Sequence, residues 1–327
     1  MPNPTKSDVH VNRLLGNISV ATVLKATMFV AADLAPVVPV EFKSDRYAVY
    51  DKGDWLRDEA LPRAAGTESA GGGWDIDTTP NYSCIRYSFH KDVDDETANN
   101  SERPIDMDRD ATKFVTQKML LKRERVVMAS FLNTGIWANE RSGIASSPTA
   151  SQFIQWDLAN SHPLVNVEAW KELIGSVTGF DPNVMLLSPN VLACLKNHAD
   201  IKDCIKYTSK GVVTTDLLAE LFGVDKVIVP KAVVNTASKG ASNAVARVVT
   251  NKVWLGYAAP EPSLMAPTAA YIFAWTGLFG NSKIGTRIKK FRIEEIESER
   301  IEGDICFDAK VVAPDMACLA TSVLATP

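Results

Sequence analysis

YDKGDWLRDEALPRAAGTESAGGGWDIDTTPNY, residues 50–82, combines charged side chains, two tryptophans and three consecutive glycines without a helical or strand period. The short segments on either side alternate in the manner of β-strands. These patterns predict an extended loop over residues 45–92, built as a two-stranded ribbon with an irregular tip. A lone ribbon is marginally stable in water, and Trp55 and Trp74 near its tip would expose a large apolar area. We therefore expect a partner surface to cover the tip.

The glycine triplet at 71–73 allows two interpretations, a phosphate-binding loop or a flexible bend. A phosphate-binding loop normally follows a strand and opens a helix, with Lys or Ser/Thr at a fixed spacing. Here Trp74, Asp75 and Asp77 follow, and the two carboxylates would repel phosphate. The sequence favours the bend.

The length of 327 residues exceeds the roughly 250–300 at which a single hydrophobic core stops growing, so we expect two lobes or a core with large excursions. The hydrophobic fraction of 46% and the charged fraction of 23% are close to the averages of globular chains. The formal net charge of -4 gives no reason to expect bulk binding of polyanions.

The N-terminal segment lacks the basic end and the apolar run of a secretory signal, which predicts that the protein stays where it is made. Its most apolar early stretch, 18–40, is interrupted by charges and prolines at Lys25, Asp33, Pro36 and Pro39. This stretch falls short of the roughly 20 uninterrupted apolar residues that a membrane span requires. We therefore predict that the protein has no membrane partner.

Five cysteines at irregular spacing predict reduced thiols and no disulfide framework. They are Cys84, Cys194, Cys204, Cys306 and Cys318. Cys194 and His198 lie four residues apart, where a continuous helix would place both on one face, and Cys204 would be a third zinc ligand. The alternative is a buried Cys194 and a surface His198 near a helix end. We prefer this alternative and predict no zinc, no other metal and no cofactor.

The strongest helical pattern spans residues 106–133. Apolar side chains recur every seven residues, and others lie beside them on the predicted buried face: Met107, Ala111, Phe114, Leu120, Leu121, Val127, Met128, Phe131 and Leu132. Acidic residues near the start and basic residues further along complement the helix dipole. We call this segment the spine helix; its length is on the order of 40 Å at about 1.5 Å per residue.

Residues 162–179 predict a second helix, after which short apolar strands and short helices alternate. This alternation predicts a compact α/β lobe over residues 183–282. The last segment, 283–327, alternates charged and apolar residues and predicts antiparallel strands that return to pack beside the spine helix. Glu302 and Gly303 are the expected turn between these strands.

The sequence contains none of the motifs H-E-x-x-H, G-x-S-x-G, G-x-G-x-x-G or the P-loop. The densest carboxylate cluster, at 92–96, lacks the ligand pattern of a calcium loop and is typical of a solvated turn. A basic stretch at 283–292 is followed at once by glutamates at 294–299, which favours ion pairing between subunits over nucleic-acid binding. We nominate no catalytic residue and predict that the protein is not an enzyme. An enzyme whose site is assembled from dispersed residues of the α/β lobe is the alternative.

Four stretches, in this order, resemble the corresponding parts of major capsid proteins of tailed bacteriophages. They are NRLLGNISVA (12–21), FVAADLAPVVPVEF (29–42), YAVYDKGDWLRDEALPRAAGTESAGGGWDIDTTPNY (47–82) and YSFHKDVDDETANNSERPIDMDRDATKFV (87–115). The resemblance is close over residues 12–125 and architectural beyond them. None of these stretches is a catalytic motif, so the specificity of the match comes from length and order.

The resemblance implies an α+β protein with the capsid fold of tailed phages and herpesviruses. Its expected parts are an N-terminal arm (1–44), the extended loop (45–92), a peripheral domain with the spine helix (93–182), an axial domain (183–282) and strands that return to the peripheral domain (283–327).

In that fold the extended loop would lie over a neighbouring subunit. The tryptophans would then be buried between chains, and the charges of the loop would set the register of the contact. The expected contact residues are Asp51, Lys52, Asp54, Trp55, Arg57, Asp58, Glu59, Arg63 and Trp74.

The implied function is structural: self-assembly, as pentamers and hexamers, into an icosahedral virion capsid. The shell would be built in the host cytoplasm and would enclose double-stranded DNA without sequence-specific binding. Because the capsid-like arm begins almost at Met1, we expect a separate scaffolding protein, and a portal and a decoration protein are further expected partners. The alternatives are the enzyme with a dispersed site and another ring-forming virion component.

Overall fold

The structure is a computed structural model that describes residues 26–96, 106–206, 213–262, 266–277 and 285–325. The first part of the predicted arm, residues 1–25, lies outside this set, and so does Lys283 of the basic stretch. No helix within the described ranges is both long enough and apolar enough to span a membrane.

In the described residues the helices are α1 (Ala31–Leu34), α2 (Lys52–Trp55), α3 (Met107–Phe131), α4 (Pro163–Thr178), α5 (Pro189–Leu195), α6 (Ala199–Ile205) and α7 (Thr215–Phe222). The strands before α5 are β1 (Val37–Val40), β2 (Ser44–Arg46), β3 (Val49–Tyr50), β4 (Ile76–Asp77), β5 (Asn81–Ser83), β6 (Ile85–Asp94), β7 (Asn139–Ile144), β8 (Gln152–Ile154) and β9 (Val184–Leu187). The later strands are β10 (Lys226–Ile228), β11 (Val233–Asn235), β12 (Val245–Arg247), β13 (Lys252–Gly256), β14 (Ala270–Trp275), β15 (Thr286–Ile293), β16 (Ser298–Val311) and β17 (Ala317–Thr321).

Strand β16 is the axis of the first sheet, because both of its edges are paired. Along one edge it runs antiparallel to β6. Along the other edge β15 and β14 pair with successive parts of it, and β1 adds a parallel strand beyond β14. The sheet therefore joins segments from the beginning, the middle and the end of the chain.

The predicted spine helix is α3, which begins after its N-cap Asp106 and lies across the first sheet. Its approach to β16 is close at Gly303. A Cβ at this position would lie 2.6 Å from Cγ1 of Val115 and 3.1 Å from Cγ of Met119. The absence of a side chain at Gly303 therefore allows the helix to contact the sheet.

The buried face of α3 differs in part from the predicted one. Val115 and Met119 are buried, whereas Phe114 is 43% exposed. The N-terminal half of α3 packs against the first sheet, and its C-terminal half packs into the core between the two sheets. Because the buried face changes along the helix, a constant seven-residue repeat misplaces part of it.

The described part of the arm is fastened to the spine helix by a buried carboxylate. Glu124, in α3, accepts hydrogen bonds from the backbone N–H groups of Val30 (3.0 Å) and Ala31 (2.8 Å), where α1 begins. Burial raises the pKa of Glu124, as does the nearby Asp33, while the two hydrogen bonds and Arg123 oppose the rise. The arm then continues as β1 beside β14.

The second sheet has the strand order β10-β9-β13-β17-β7-β8 and is buried on both faces. Alternate residues of β9 enter different cores: Val184 and Leu186 lie in the core with the spine helix, while Met185 and Leu187 lie in the core with α4 to α7. Burial on both faces explains why every residue of this strand is apolar.

Sequence periodicity identified α4 correctly but did not separate α5 from α6, which follow it. The helix predicted at 162–179 is α4, which ends at Gly179 with φ 76°. Thr214 caps α7 by accepting a hydrogen bond from the N–H of Leu217 (3.2 Å), and Gly223 ends it with φ 60°. Both glycines have the left-handed conformation that glycine adopts readily at helix ends.

The predicted ranges of the parts differ from the sheets that the structure contains. The second sheet also includes β7, β8 and the C-terminal β17, whereas β14 belongs to the first sheet. β6 pairs with β16 in the first sheet, so the ribbon ends at Ser83 and not at residue 92. These strands have partners that are remote in sequence, and local patterns do not reveal such partners.

Glu302 and Gly303 do not form the predicted turn, because both lie within β16. The chain reverses instead through the 3₁₀ segment Glu294–Ile296 and through Glu297, whose φ is 44°. The glycine that indicated a turn is needed for the contact with the spine helix.

We predict that Gly303→Ala lowers the free energy of unfolding by about 1–3 kcal/mol, because the added methyl group collides with the buried side chain of Val115. Urea unfolding followed by circular dichroism measures the change. Val115→Ala removes the colliding methyl groups, so the double variant should lose less stability than the two single losses combined. Strictly additive losses would contradict this close contact.

Glu124→Gln should remove a pH dependence of stability. Since the pKa of Glu124 is raised in the folded protein, its contribution to stability is present below the unfolded pKa and is lost as the pH rises through the folded pKa. As the pH rises above about 4.3, the unfolding free energy of the wild type should therefore decrease relative to that of Glu124→Gln. Chemical unfolding of both proteins at several pH values tests this, and a difference that does not change with pH would refute it.

Candidate assembly surface

Residues 44–83 form the predicted two-stranded ribbon. β2 pairs antiparallel with β5, and further out β3 pairs antiparallel with β4, which places Tyr50 opposite Ile76. We call residues 51–75, beyond these pairs, the ribbon tip. Almost all of its side chains are exposed in the single subunit. The expected contact residues therefore lie together on one projecting element.

Three aromatic rings form a cluster at the base of the ribbon tip. The ring centroids of Trp55 and Trp74 are 6.0 Å apart, and the ring of Tyr50 meets Trp55 edge-on at 6.0 Å. Trp55 is nevertheless 54% exposed and Trp74 is 60% exposed. The two tryptophans contact each other across the loop, and much of their apolar surface is left for another partner.

Acidic side chains hold the backbone around these rings. Asp51 accepts a hydrogen bond from the N–H of Gly53 (2.9 Å) and caps α2. Asp54 accepts from the N–H of Asp75 (2.9 Å), which links the two sides of the tip, and it lies 3.3 Å from the guanidinium of Arg57. The charges near the tryptophans thus define the shape of the loop itself.

The outer part of the tip has fewer such contacts. Glu59 is paired with Arg57 at 3.3 Å, and its carboxylate lies close to Gly72. Arg63 donates a hydrogen bond from Nε to the carbonyl of Thr67. Asp58 is exposed to solvent.

Two further contacts hold the ribbon in position. The ammonium of Lys52 forms an ion pair with Asp315, which lies in the 3₁₀ segment Pro314–Met316 before β17. On the returning side, hydrogen bonds from the hydroxyl and the N–H of Thr79 lower the pKa of Asp77. Among the described residues, Lys52 is the one expected contact residue with an ion pair to the body of the subunit.

Sequence analysis missed apolar side chains of the ribbon tip that are at least as exposed as the tryptophans. Leu56 is 66% exposed and Leu61 is 71% exposed. The signal that could have identified them is their position among charged residues, in a segment that has no periodicity to bury them.

The basic side chains of β15 are neutralised within the chain, which corrects the prediction that they pair between subunits. The pairs are Arg287–Asp304, Lys289–Glu302, Lys290–Asp108 and Arg292–Asp95. Asp304 has no exposed side-chain surface and also accepts hydrogen bonds from Arg86 and Ser88. Burial by itself would raise the pKa of Asp304, but the hydrogen bonds from Ser88, Arg287 and Arg86 lower it.

Cys194 and His198 do not share a helix face. α5 ends at Leu195, and His198 is the N-cap of α6, so the chain bends between the two residues. In the described part of the chain, no group of three or more His, Cys, Asp or Glu side chains is placed to hold a metal ion. All five cysteines are free thiols.

Near these residues, Ser161 and His198 form the pair that most resembles a catalytic nucleophile and its base. Oγ of Ser161 lies 3.0 Å from Nε2 of His198, while Nδ1 of His198 accepts a hydrogen bond from the N–H of Asp200 (3.2 Å). Burial lowers the pKa of His198 and favours the neutral ring, whose proton is then on Nε2. His198 therefore donates to Ser161 and does not act as its base.

Comparisons with known proteins agree with this architecture, although no family model matches the chain. The chain is 26% identical over 282 residues to the major capsid protein of Burkholderia phage BcepMu, covering 84% of this chain and 86% of that protein. Its structure is similar to that of a phage-related protein from Bordetella bronchiseptica, with a TM-score of 0.68, 20% identity, and coverage of 92% and 94% of the two chains. It is also similar to the mature capsid of bacteriophage PhiM1, with a TM-score of 0.61, 10% identity, and coverage of 98% and 93%.

The similarity to a mature phage capsid covers both sheets, the spine helix and the ribbon, because it extends over 98% of this chain. The sequence relative is likewise a phage major capsid protein. The chain therefore has the α+β capsid fold of tailed bacteriophages and is similar in sequence to a phage major capsid protein.

Proposed function

We propose that the protein is the structural subunit of a virion capsid and that its copies assemble into a closed shell. The observation that carries this proposal is the ribbon tip, which presents two tryptophans that are 54% and 60% exposed on an element that projects from the subunit. Side chains of this size are typical anchors of protein interfaces. The relationship to a phage major capsid protein supports the same function.

The internal contacts of the tip favour binding. Hydrogen bonds to Asp51 and Asp54 and the ion pair of Lys52 with Asp315 already hold the inner part of the loop in one conformation. A preformed loop loses less conformational entropy when it binds a partner. In this proposal the tip lies over a neighbouring copy, where the tryptophans are covered and the charged residues Asp58, Glu59 and Arg63 set the register.

A contact between the tip of one subunit and a different surface of the next is head-to-tail and closes into rings when the rotation permits. We propose that these rings are the pentamers and hexamers of an icosahedral shell, built in the host cytoplasm around double-stranded DNA. A separate scaffolding protein, a portal and a decoration protein are the partners expected from the resemblance. The role is structural and not enzymatic.

Electron microscopy of the purified protein separates this proposal from the alternatives. Shells, tubes or capsomers support it. A single ring of fixed size would favour another virion component, and monodisperse monomers at high concentration would favour the enzyme with a dispersed site.

We predict that replacing residues 51–77 by a short Gly/Ser turn leaves the subunit folded and abolishes shell formation. The loop makes few contacts with the two cores, and the remaining strands β2 and β5 can be joined by a tight turn. Circular dichroism measures the fold, and sedimentation measures the shells. An unfolded variant would place the loop in a core, and normal shells would contradict a covering role.

Trp55→Ala and Trp74→Ala should each weaken shell formation, since each removes an anchor of about 2 kcal/mol or more at every copy of the contact. Trp55→Phe and Trp74→Phe are the matched controls, because they keep an aromatic ring at the same place. We expect the protein concentration needed for assembly to rise much more for the alanine variants than for the phenylalanine variants. Equal concentrations for wild type and alanine variants, measured by light scattering, would contradict the prediction.

A further inference from the structure

The outer face of the spine helix carries an excess of positive charge. Between residues 111 and 131 the sequence places five bases and a single acid. The acid is Glu124, which is fully buried beneath the arm and cannot neutralise the surface. Three of the bases, Lys118, Lys122 and Arg125, are exposed or half-buried and lie within about 60° of one another around the helix, whereas Lys113 lies on a different side at about 100° per residue.

These three bases have no acidic partner in the described part of the chain. The ion pairs of α3 involve its first turn only, where Asp108 contacts Lys290 and Arg109 lies near Asp110. The bases of β15, in contrast, each pair with a carboxylate of the same subunit. Among the described residues, the charge of this face of the spine helix is therefore not neutralised.

Aromatic rings position two of the ammonium groups. Nζ of Lys118 lies 5.2 Å from the ring centroid of Phe114, and Nζ of Lys122 lies 4.6 Å from that of Tyr87. From Lys118 to Arg125 the helix rises roughly 10 Å at about 1.5 Å per residue. A DNA duplex of the same length carries about six phosphate charges.

The composition of this face favours a nucleic acid over a protein. Phe114 is the one large apolar side chain that is exposed on the described α3, and a stable protein interface needs an apolar centre. Interfaces with nucleic acids are polar and positively charged, and lysines contact phosphates as point charges without reading sequence.

We propose that this face of the spine helix binds the phosphate backbone of the enclosed nucleic acid, so that it forms part of the inner wall of the shell. The proposal rests on the proposed function as a capsid subunit. Three point charges per subunit provide a weak contact that salt disrupts readily, and such a contact does not prevent release of the nucleic acid.

The test measures binding of the unassembled protein to a fluorescein-labelled 30-base-pair duplex by fluorescence anisotropy at several salt concentrations. The variant is Lys118→Gln, Lys122→Gln and Arg125→Gln combined, in which glutamine keeps the helix propensity. Each phosphate contact contributes about 0.9 to the slope of log affinity against log salt, so the slope should become shallower by about 2.7. Circular dichroism verifies that the variant is folded.

The matched control is Lys196→Gln, Lys202→Gln and Lys231→Gln combined. It removes the same number of positive charges, but from exposed lysines outside the spine helix. We expect its slope to equal that of the wild type. Equal losses in both variants, or wild-type binding by the spine-helix variant, would overturn the proposal. Binding to poly-glutamate but not to DNA would also overturn it, in favour of an acidic protein partner.

Sedimentation of the same proteins keeps the two proposals distinguishable. If the wild type forms shells but the spine-helix variant binds DNA as the wild type does, only this inference fails. If the wild type forms no assemblies at all, the proposed function fails, whatever the DNA measurement shows.

Discussion

The contact between the spine helix and Gly303 is the constraint on which the rest of the subunit depends. β16 is paired along both edges, and the helix packs against it where a side chain would collide with Val115. This single contact joins the segment after the ribbon to the C-terminal part of the chain. The arm is attached through Glu124, whose buried carboxylate accepts hydrogen bonds from the N–H groups of Val30 and Ala31 at the start of α1. A substitution at Gly303 therefore affects elements that are more than a hundred residues apart in sequence.

Charge is distributed differently on the two sides of this assembly of helix and sheet. On the first sheet the basic and acidic side chains neutralise each other across strands, and Asp304 stays ionised in a buried position because two arginines and Ser88 donate to it. On the exposed side of the spine helix the bases have no such partners in the described residues. The same subunit thus has one face whose charges are satisfied internally and one whose bases are not paired among the described residues.

The large apolar side chains of the ribbon tip are buried in neither of the two cores. Its backbone is ordered by Asp51 and Asp54, while Trp55 and Trp74 contact each other and remain more than half exposed. Such an element is costly for a monomer, because it exposes apolar area without adding to a core. In the proposed shell, a neighbouring copy would cover the apolar area that the single chain leaves exposed.

Local sequence patterns determined the elements of this protein: the spine helix, α4, the strand β9, the ribbon and the capsid-like order of the parts. They failed where long-range contacts decide. The turn expected at Glu302 and Gly303 is the middle of a strand, and Cys194 and His198 lie on either side of a bend. Only the tertiary structure decided which strands share a sheet and which bases are neutralised. The physical reason is that periodicity reports whether a residue is buried, whereas pairing depends on which distant segment buries it.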